Sequence, residues 1–184
     1  MDYYQDIQVN KDPEFTEPLL MSVLLSKLHR GLVSLAREDI GISFPRYGKT
    51  LGSLLRLHGS QAALQQLQAN HWLQGFEDYC RPQPVSAIPD KVQWRTVSRY
   101  QPKSNLARLL RRSVRYGRLT EQQAEQRLAE GQDKVCHLPY AAMRSQSTGQ
   151  HFRLFIQLGP LQPHAVAGSF SGYGLSNQAT IPWF

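Results

Sequence analysis

Apolar and polar positions alternate from Asp2 to Val9, with Tyr3, Tyr4, Ile7 and Val9 in the apolar set, and this period of two predicts a short first strand. After Asp12-Pro13 the period changes. Leu20, Leu24, Leu28, Leu32 and Leu35 recur at helical spacing behind Pro18, which predicts a helix ending near Gly41. Residues 42–45 and 51–58 read as two further strands, Ser60 as the cap of a helix over 61–69, and 72–79 as an apolar patch. Residues 82–89 are proline-rich and read as a connection into an edge strand. Strand, helix, two strands, helix, strand is the order of a ferredoxin-like fold.

Downstream, residues 93–101 carry a strand pattern through Trp94, Thr96, Val97 and Tyr100. Ser104 is a candidate cap for a helix over 105–116 that Gly117 ends, and Thr120-Glu-Gln-Gln123 is a capping-box pattern for a second helix reaching about Glu130. Strands are expected at 140–145, 152–158 and 168–173. The chain therefore reads as α+β. A ferredoxin-like N-terminal domain over 1–91 precedes a C-terminal domain over 92–184, which has a cationic helix and a small antiparallel sheet.

The totals narrow this picture. With 184 residues, 41% hydrophobic and 19% charged, the chain can bury a core and is not a disordered tract. Cys80 and Cys136 lack metal-ligand spacing, which argues against a zinc site or a disulfide scaffold and for a reducing, cytoplasmic setting. The first residues lack the basic and apolar regions of a signal peptide, and no apolar run approaches the roughly 20 residues that cross a bilayer. Secretion and membrane insertion are not expected.

Charge is strongly localised. Between Trp94 and Arg118 stand eight cations and no acid, enough to account for the whole net charge of +7. Arg108, Arg111, Arg112 and Arg115 fall at i, i+3, i+4 and i+7, on one stripe of a helix, with Leu106, Leu109, Leu110 and Val114 expected opposite. A merely solvated face would normally carry acids at i+4 to relieve repulsion. This one is a device for binding a polyanion. Arg99 and Gln101, at i and i+2, project from one side of the strand pattern; arginine and glutamine are the favoured bidentate partners of guanine and adenine.

Candidate chemistry gathers elsewhere. The run Arg144-Ser-Gln-Ser-Thr-Gly-Gln-His-Phe-Arg-Leu-Phe-Ile156 crowds hydroxyls, amides and cations into a loop entering an apolar strand. Ser145, Ser147 and Thr148 suit either the holding of a ribose and phosphate or an ordinary polar turn at Thr148-Gly149. Phe152 suits either base stacking or the core. Tyr173 lies between Gly172 and Gly174. Of six histidines, His29 stands out at the edge of the leucine stripe, where packing can hold it while leaving it partly exposed, as a general base requires. No carboxylate pair, phosphate-binding glycine loop or clustered metal ligands appear, so a nuclease built on these residues would use the RNA's own 2′-hydroxyl as nucleophile.

The residues Ser145 to Ile156, Tyr173-Gly-Leu-Ser176, Pro182-Trp-Phe184, Met21-Ser-Val-Leu24 with Lys27-Leu-His29, and Val97-Ser-Arg99 with Gln101 closely resemble the type I-F CRISPR repeat-processing endoribonucleases. The resemblance implies a ferredoxin-like domain and an arginine-rich helix in the major groove of the CRISPR repeat hairpin. It also implies metal-independent cleavage at the 3′ base of that stem, without a cofactor. His29 matches the general base, Ser145 the residue constraining the ribose, Tyr173 the aromatic orienting the histidine, and Ser147 and Thr148 neighbouring site residues. Arg99 and Gln101 match the base readers, Arg112 the arginine near the scissile guanine, and Phe152 the stacking aromatic. Arg108, Arg111 and Arg115 match phosphate contacts. The family's basic run continues further than here, where Tyr116-Gly117 ends it. Expected products are a 2′,3′-cyclic phosphate or 3′-phosphate and a 5′-hydroxyl. The enzyme is expected to stay on the crRNA in a bacterial interference complex with other subunits. The rival readings are a non-catalytic hairpin-binding subunit and a helix-turn-helix DNA-binding protein, the latter with its charge on the wrong helix.

Overall fold

The computed structural model describes residues 1–102, 106–130, 136–145 and 148–184. They form two compact units, Met1–Tyr100 with Leu138–Phe184, and Gln101–His137. The fold is α+β, as expected.

The larger unit begins with β1 (Tyr3–Val9), α1 (Glu17–Ser34), β2 (Gly41–Ser43), β3 (Leu54–Gly59), α2 (Gln61–Ala69) and β4 (Cys80–Pro82). These strands pair in the order β2-β3-β1-β4, all antiparallel, and a short β5 (Ser86–Ala87) continues the β1 edge. This is the split arrangement that the element order predicts. The leucine stripe supplies the core: Leu20, Leu24, Leu28 and Leu32 of α1 are buried with Ile7, Ile42, Leu55 and Leu57 of the sheet. Ser60 caps α2 through Ala63 N–H at 3.1 Å.

The rest of this unit comprises β6 (Gln93–Arg95), β7 (Val97–Tyr100), β8 (Tyr140–Arg144), β9 (His151–Leu158) and β10 (Ile181–Trp183). Strands β7, β9 and β8 form an antiparallel sheet in that order. Helix α1 lies against β1 and also against β8. Two serines make the second contact: Ser22 Oγ accepts from Ala142 N–H at 3.0 Å, and Ser26 Oγ lies 3.6 Å from Met143 Sδ.

Three sequence expectations are corrected. Helix α1 stops at Ser34 rather than near Gly41, because Ala36 turns left-handed at φ 48°. The Ala36 and Arg37 N–H groups then close on the Val33 and Leu32 carbonyls in a Schellman pattern. The strand expected over 93–101 breaks at Thr96. Strand β6 pairs with β10 and β7 with β9, a change of partner to which a period of two is blind. Residues 168–173 form no strand; Phe170 is buried as a single anchor over Gly41, and the strand forms instead at β10.

The smaller unit contains α3 (Leu106–Arg115) and α4 (Glu121–Glu130), which pack together. Gly117, at φ 66°, ends α3 in a second Schellman pattern, its N–H donating to Val114 and that of Arg118 to Ser113. The capping box is formed reciprocally: Thr120 N–H reaches Gln123 Oε1 at 3.1 Å and Gln123 N–H reaches Thr120 Oγ1 at 3.2 Å. Leu110 is buried, but Leu109 is 45% exposed. Its position between the two faces leaves it beside Arg112 and Tyr116, so the packed stripe is narrower than expected. Ser104 lies outside the described residues. Among the described residues no helix is long and apolar enough to cross a membrane.

His58 on β3 is fully buried. Its Nε2 lies 2.7 Å from Ser43 Oγ, while Nδ1 has no hydrogen-bond partner among the described residues. Burial first, and then the Arg56 charge and the N-terminal amine, push the imidazole down to about 3. The unfolded chain, with an ordinary histidine near 6.5, therefore takes up a proton that the native state refuses as pH falls. Stability should be lost between about pH 6.5 and 3, at up to about 1.4 kcal/mol per pH unit from this group. Urea unfolding across that range should show the slope reduced by about one proton in His58→Gln; an unchanged slope would contradict this account.

Candidate active site

The seventh residue of the leucine-striped helix beyond Ser22 is His29, and helical geometry puts Ser22, Ser26 and His29 on neighbouring rows of one side. Since Ser22 touches Ala142 and Ser26 touches Met143, contacts advance in the same direction along α1 and β8. The end of β8, at Arg144 and Ser145, is thus directed toward the turn of α1 that carries His29. Burial of Leu28 and Leu32 anchors that turn while His29 stays half-buried.

Opposite His29 runs the glycine-flanked loop. Gly174 N–H donates to Ser171 O at 2.7 Å, closing a tight turn, and Ile42 N–H donates to Gly174 O at 2.9 Å. Ser176 N–H donates to Val97 O at 2.9 Å, so the loop is tied to β2 and β7. Gly174 sits at φ 70°, and a Cβ there would lie 2.7 Å from Ile42 Cγ2; both conformation and space demand glycine. The turn delivers two groups to the histidine. The Gly172 carbonyl lies 2.8 Å from His29 Nδ1, and the Tyr173 ring stacks on the imidazole at 4.0 Å and 6°.

A carbonyl oxygen can only accept, so His29 Nδ1 carries the hydrogen and, in the neutral ring, Nε2 keeps the lone pair. Ring position and tautomer are both set by the loop. Such an imidazole is arranged to take a proton at Nε2.

Ser145 follows β8 in a hydrogen-bonded turn. Its N–H donates to Gln150 O and its carbonyl accepts from Gly149 N–H, both at 2.9 Å, while its Oγ accepts from Thr148 N–H at 3.3 Å. Thr148 is exposed and Gly149 takes φ 69°. The polar turn foreseen at Thr148-Gly149 is therefore present, and it orients the Ser145 hydroxyl. Ser147 lies outside the described residues. Half-buried Phe152, on β9, has the Arg99 guanidinium 5.4 Å from its ring centroid, and Arg99 itself is exposed at the end of β7. Gln101, also exposed, is the first residue of the smaller unit.

Within that smaller unit, Arg108, Arg111, Arg112 and Arg115 are exposed and line one concavity with Tyr116, whose ring lies 5.7 Å from the Arg112 guanidinium carbon. Arg111 also borders the groove holding Glu121 and Glu125 of α4. The helix alone showed no acid at i+4; these acids come from the neighbouring helix.

The histidine's carbonyl partner escaped the sequence reading. Gly172-Tyr-Gly signalled a turn, but a backbone oxygen has no signature of its own, and its partner lies 143 positions away. Ser26 was likewise unmarked, and Ser22 appeared only within the Met21-to-Leu24 motif with no contact assigned. Among the described residues no three His, Cys, Asp or Glu side chains gather into a possible metal site.

Residues 4–184 match the protein family described as CRISPR-associated protein (Cas_Csy4). The chain is 51% identical over 184 residues to a CRISPR-associated endonuclease Cas6/Csy4 of Escherichia coli (strain UTI89 / UPEC), and the match covers all of both chains. It is 45% identical over 187 residues to a protein of the same description from Pseudomonas aeruginosa (strain UCBPP-PA14), again over the whole of both.

In nitrogen-resolved NMR near neutral pH, the neutral His29 ring is expected as the Nδ1–H tautomer, against the Nε2–H form that predominates for histidine in water. A dominant Nε2–H signal would contradict the bond to Gly172.

Proposed function

Because the chain belongs to the CRISPR-associated Cas_Csy4 family, the type I-F repeat-processing enzymes, we propose that it is an endoribonuclease that cuts CRISPR precursor RNA at the 3′ base of the repeat hairpin. The observation that carries the chemistry is the His29 imidazole, bonded through Nδ1 to the Gly172 carbonyl and stacked on Tyr173.

His29 Nε2 takes the proton of the 2′-hydroxyl just upstream of the scissile phosphate. The 2′-oxygen attacks phosphorus in line, the bond to the 5′-oxygen breaks, and that oxygen leaves as a 5′-hydroxyl after taking a proton from imidazolium or water. The other product is a 2′,3′-cyclic phosphate, which water can open to a 3′-phosphate by adding to phosphorus and releasing the 2′-hydroxyl. Nucleophile and base are both organic groups, so this route requires no metal and no cofactor.

Ser145 restrains the ribose, with Ser147 and Thr148 beside it, and Tyr173 keeps the histidine in plane. Phe152 stacks on a base, and Arg99 with Gln101 reads adjacent base edges. Arg112 binds near the scissile guanine, while Arg108, Arg111 and Arg115 neutralise phosphates of the stem. In this reading residues 1–91 bring the base and 92–184 the hairpin-binding surface. The product hairpin stays bound as part of the interference complex, in contact with its other subunits in the bacterial cytoplasm.

Repeat RNA incubated with the protein in EDTA should be cut, and a single 2′-deoxy substitution upstream of the scissile phosphate should abolish cutting while leaving binding intact. Normal cleavage of the deoxy substrate would rule out the internal nucleophile. Retention without cutting would instead indicate a binding subunit, and preference for duplex DNA a DNA-binding protein. His29→Ala should lose about 10²- to 10⁴-fold in single-turnover rate with affinity little changed. Arg112→Ala should weaken binding by about 1 to 3 kcal/mol.

A further inference from the structure

The sheet β7-β9-β8 has two faces, and the site described above uses only one. Phe152, Leu154 and Ile156 of β9 point inward with Ala141 and Met143 of β8. The alternate residues point the other way. Register places Tyr100 of β7, Phe155 of β9 and Tyr140 of β8 side by side across all three strands. Tyr100 is 37% and Tyr140 40% exposed, while Phe155 forms a buried floor, its ring 5.3 Å from that of Tyr140. The exposed Arg153 guanidinium lies 4.8 Å from the Tyr140 ring centroid.

An ordinary solvent face of an antiparallel sheet is polar, with charges of both signs interspersed. This one exposes two tyrosines and an arginine, and its only ionisable neighbours on the strands are His151 and Arg144. No Asp or Glu occurs from Lys91 to Thr120 or from Lys134 to Phe184, so all three strands come from acid-free sequence. Aromatic rings interleaved with a guanidinium on an acid-free sheet are what unstacked bases and their phosphates recognise. A protein partner would not call for the exclusion of acids.

We propose that this outer face, centred on Tyr100, Tyr140 and Arg153, is a platform for single-stranded RNA flanking the processed hairpin. The inference rests on the endoribonuclease reading for the identity of the RNA. Bases stack on the tyrosines and the Arg153 plane, and the Arg153 charge meets a phosphate. The β8–β9 turn that carries Ser145 and Thr148 is continuous with this face, and Tyr140 lies about 17 Å from Ser145 along β8. A flank leaving the cleavage site reaches the tyrosines by rounding that end of the sheet.

The test compares the 2′-deoxy hairpin bare and extended by about eight uridines at its 5′ or 3′ end, a length within known single-strand site sizes. Binding is followed by fluorescence anisotropy for the wild type and for Tyr140→Leu/Arg153→Gln; leucine keeps apolar cover over Phe155. At least one extension should tighten wild-type binding about fivefold or more, and the double variant should lose that gain while binding and cutting the bare ribose hairpin as the wild type does. In Arg153→Gln alone, the logarithmic salt slope for the extended RNA should fall by about 0.7. If neither extension tightens binding, or the double variant keeps the gain, the platform is wrong. A wild-type protein that neither binds nor cuts the bare hairpin overturns the endoribonuclease reading instead.

Discussion

Helix α1 is gripped from two sides, and the position of His29 follows from that. Its leucines are buried against the first sheet, and its Ser22 and Ser26 meet the edge of β8. Sliding the helix against either neighbour would strand buried leucines or break the bond to Ala142 N–H, an outward-facing group on the edge of that strand. His29 sits one residue past Leu28, so the same packing that holds the helix sets the imidazole at the border of the core.

The loop from Ser171 to Ser176 completes the arrangement with backbone groups. It is tied to β2 and β7, and it presents a carbonyl to one edge of the imidazole and a phenol ring to its face. Gly174 allows the left-handed turn, and Gly172 allows close approach, since a Cβ there would lie 3.0 Å from Val33 and 3.5 Å from His29 Nδ1. Orientation is therefore supplied by a backbone hydrogen bond and by stacking rather than by a carboxylate.

Charge is arranged by a different rule. The arginines of α3 repeat on one helical stripe, whereas the cation and tyrosines of the outer sheet face are brought together by register between strands. Arg111 shows the limit of reading charge along one helix, because Glu121 and Glu125 of α4 share its groove.

Local signals were legible because their physics is local. The capping box at Thr120 and Gln123, the Ser60 cap, the stop at Gly117 and the alternation of β1 each involve partners within a few residues or a strict period. The arginine stripe and the half-exposed place of His29 follow from helical spacing in the same way. The early end of α1 at Ala36, the break at Thr96 and the strand at Ile181–Trp183 in place of 168–173 were not legible, since each depends on which distant segment offers a partner. The amino-acid sequence by itself determined most of the elements, the core stripe and the candidate residues for chemistry. Only tertiary structure decided that a backbone carbonyl 143 positions away would hold His29 by Nδ1. Every residue carries the same backbone carbonyl, and only its placement in space makes one of them a partner.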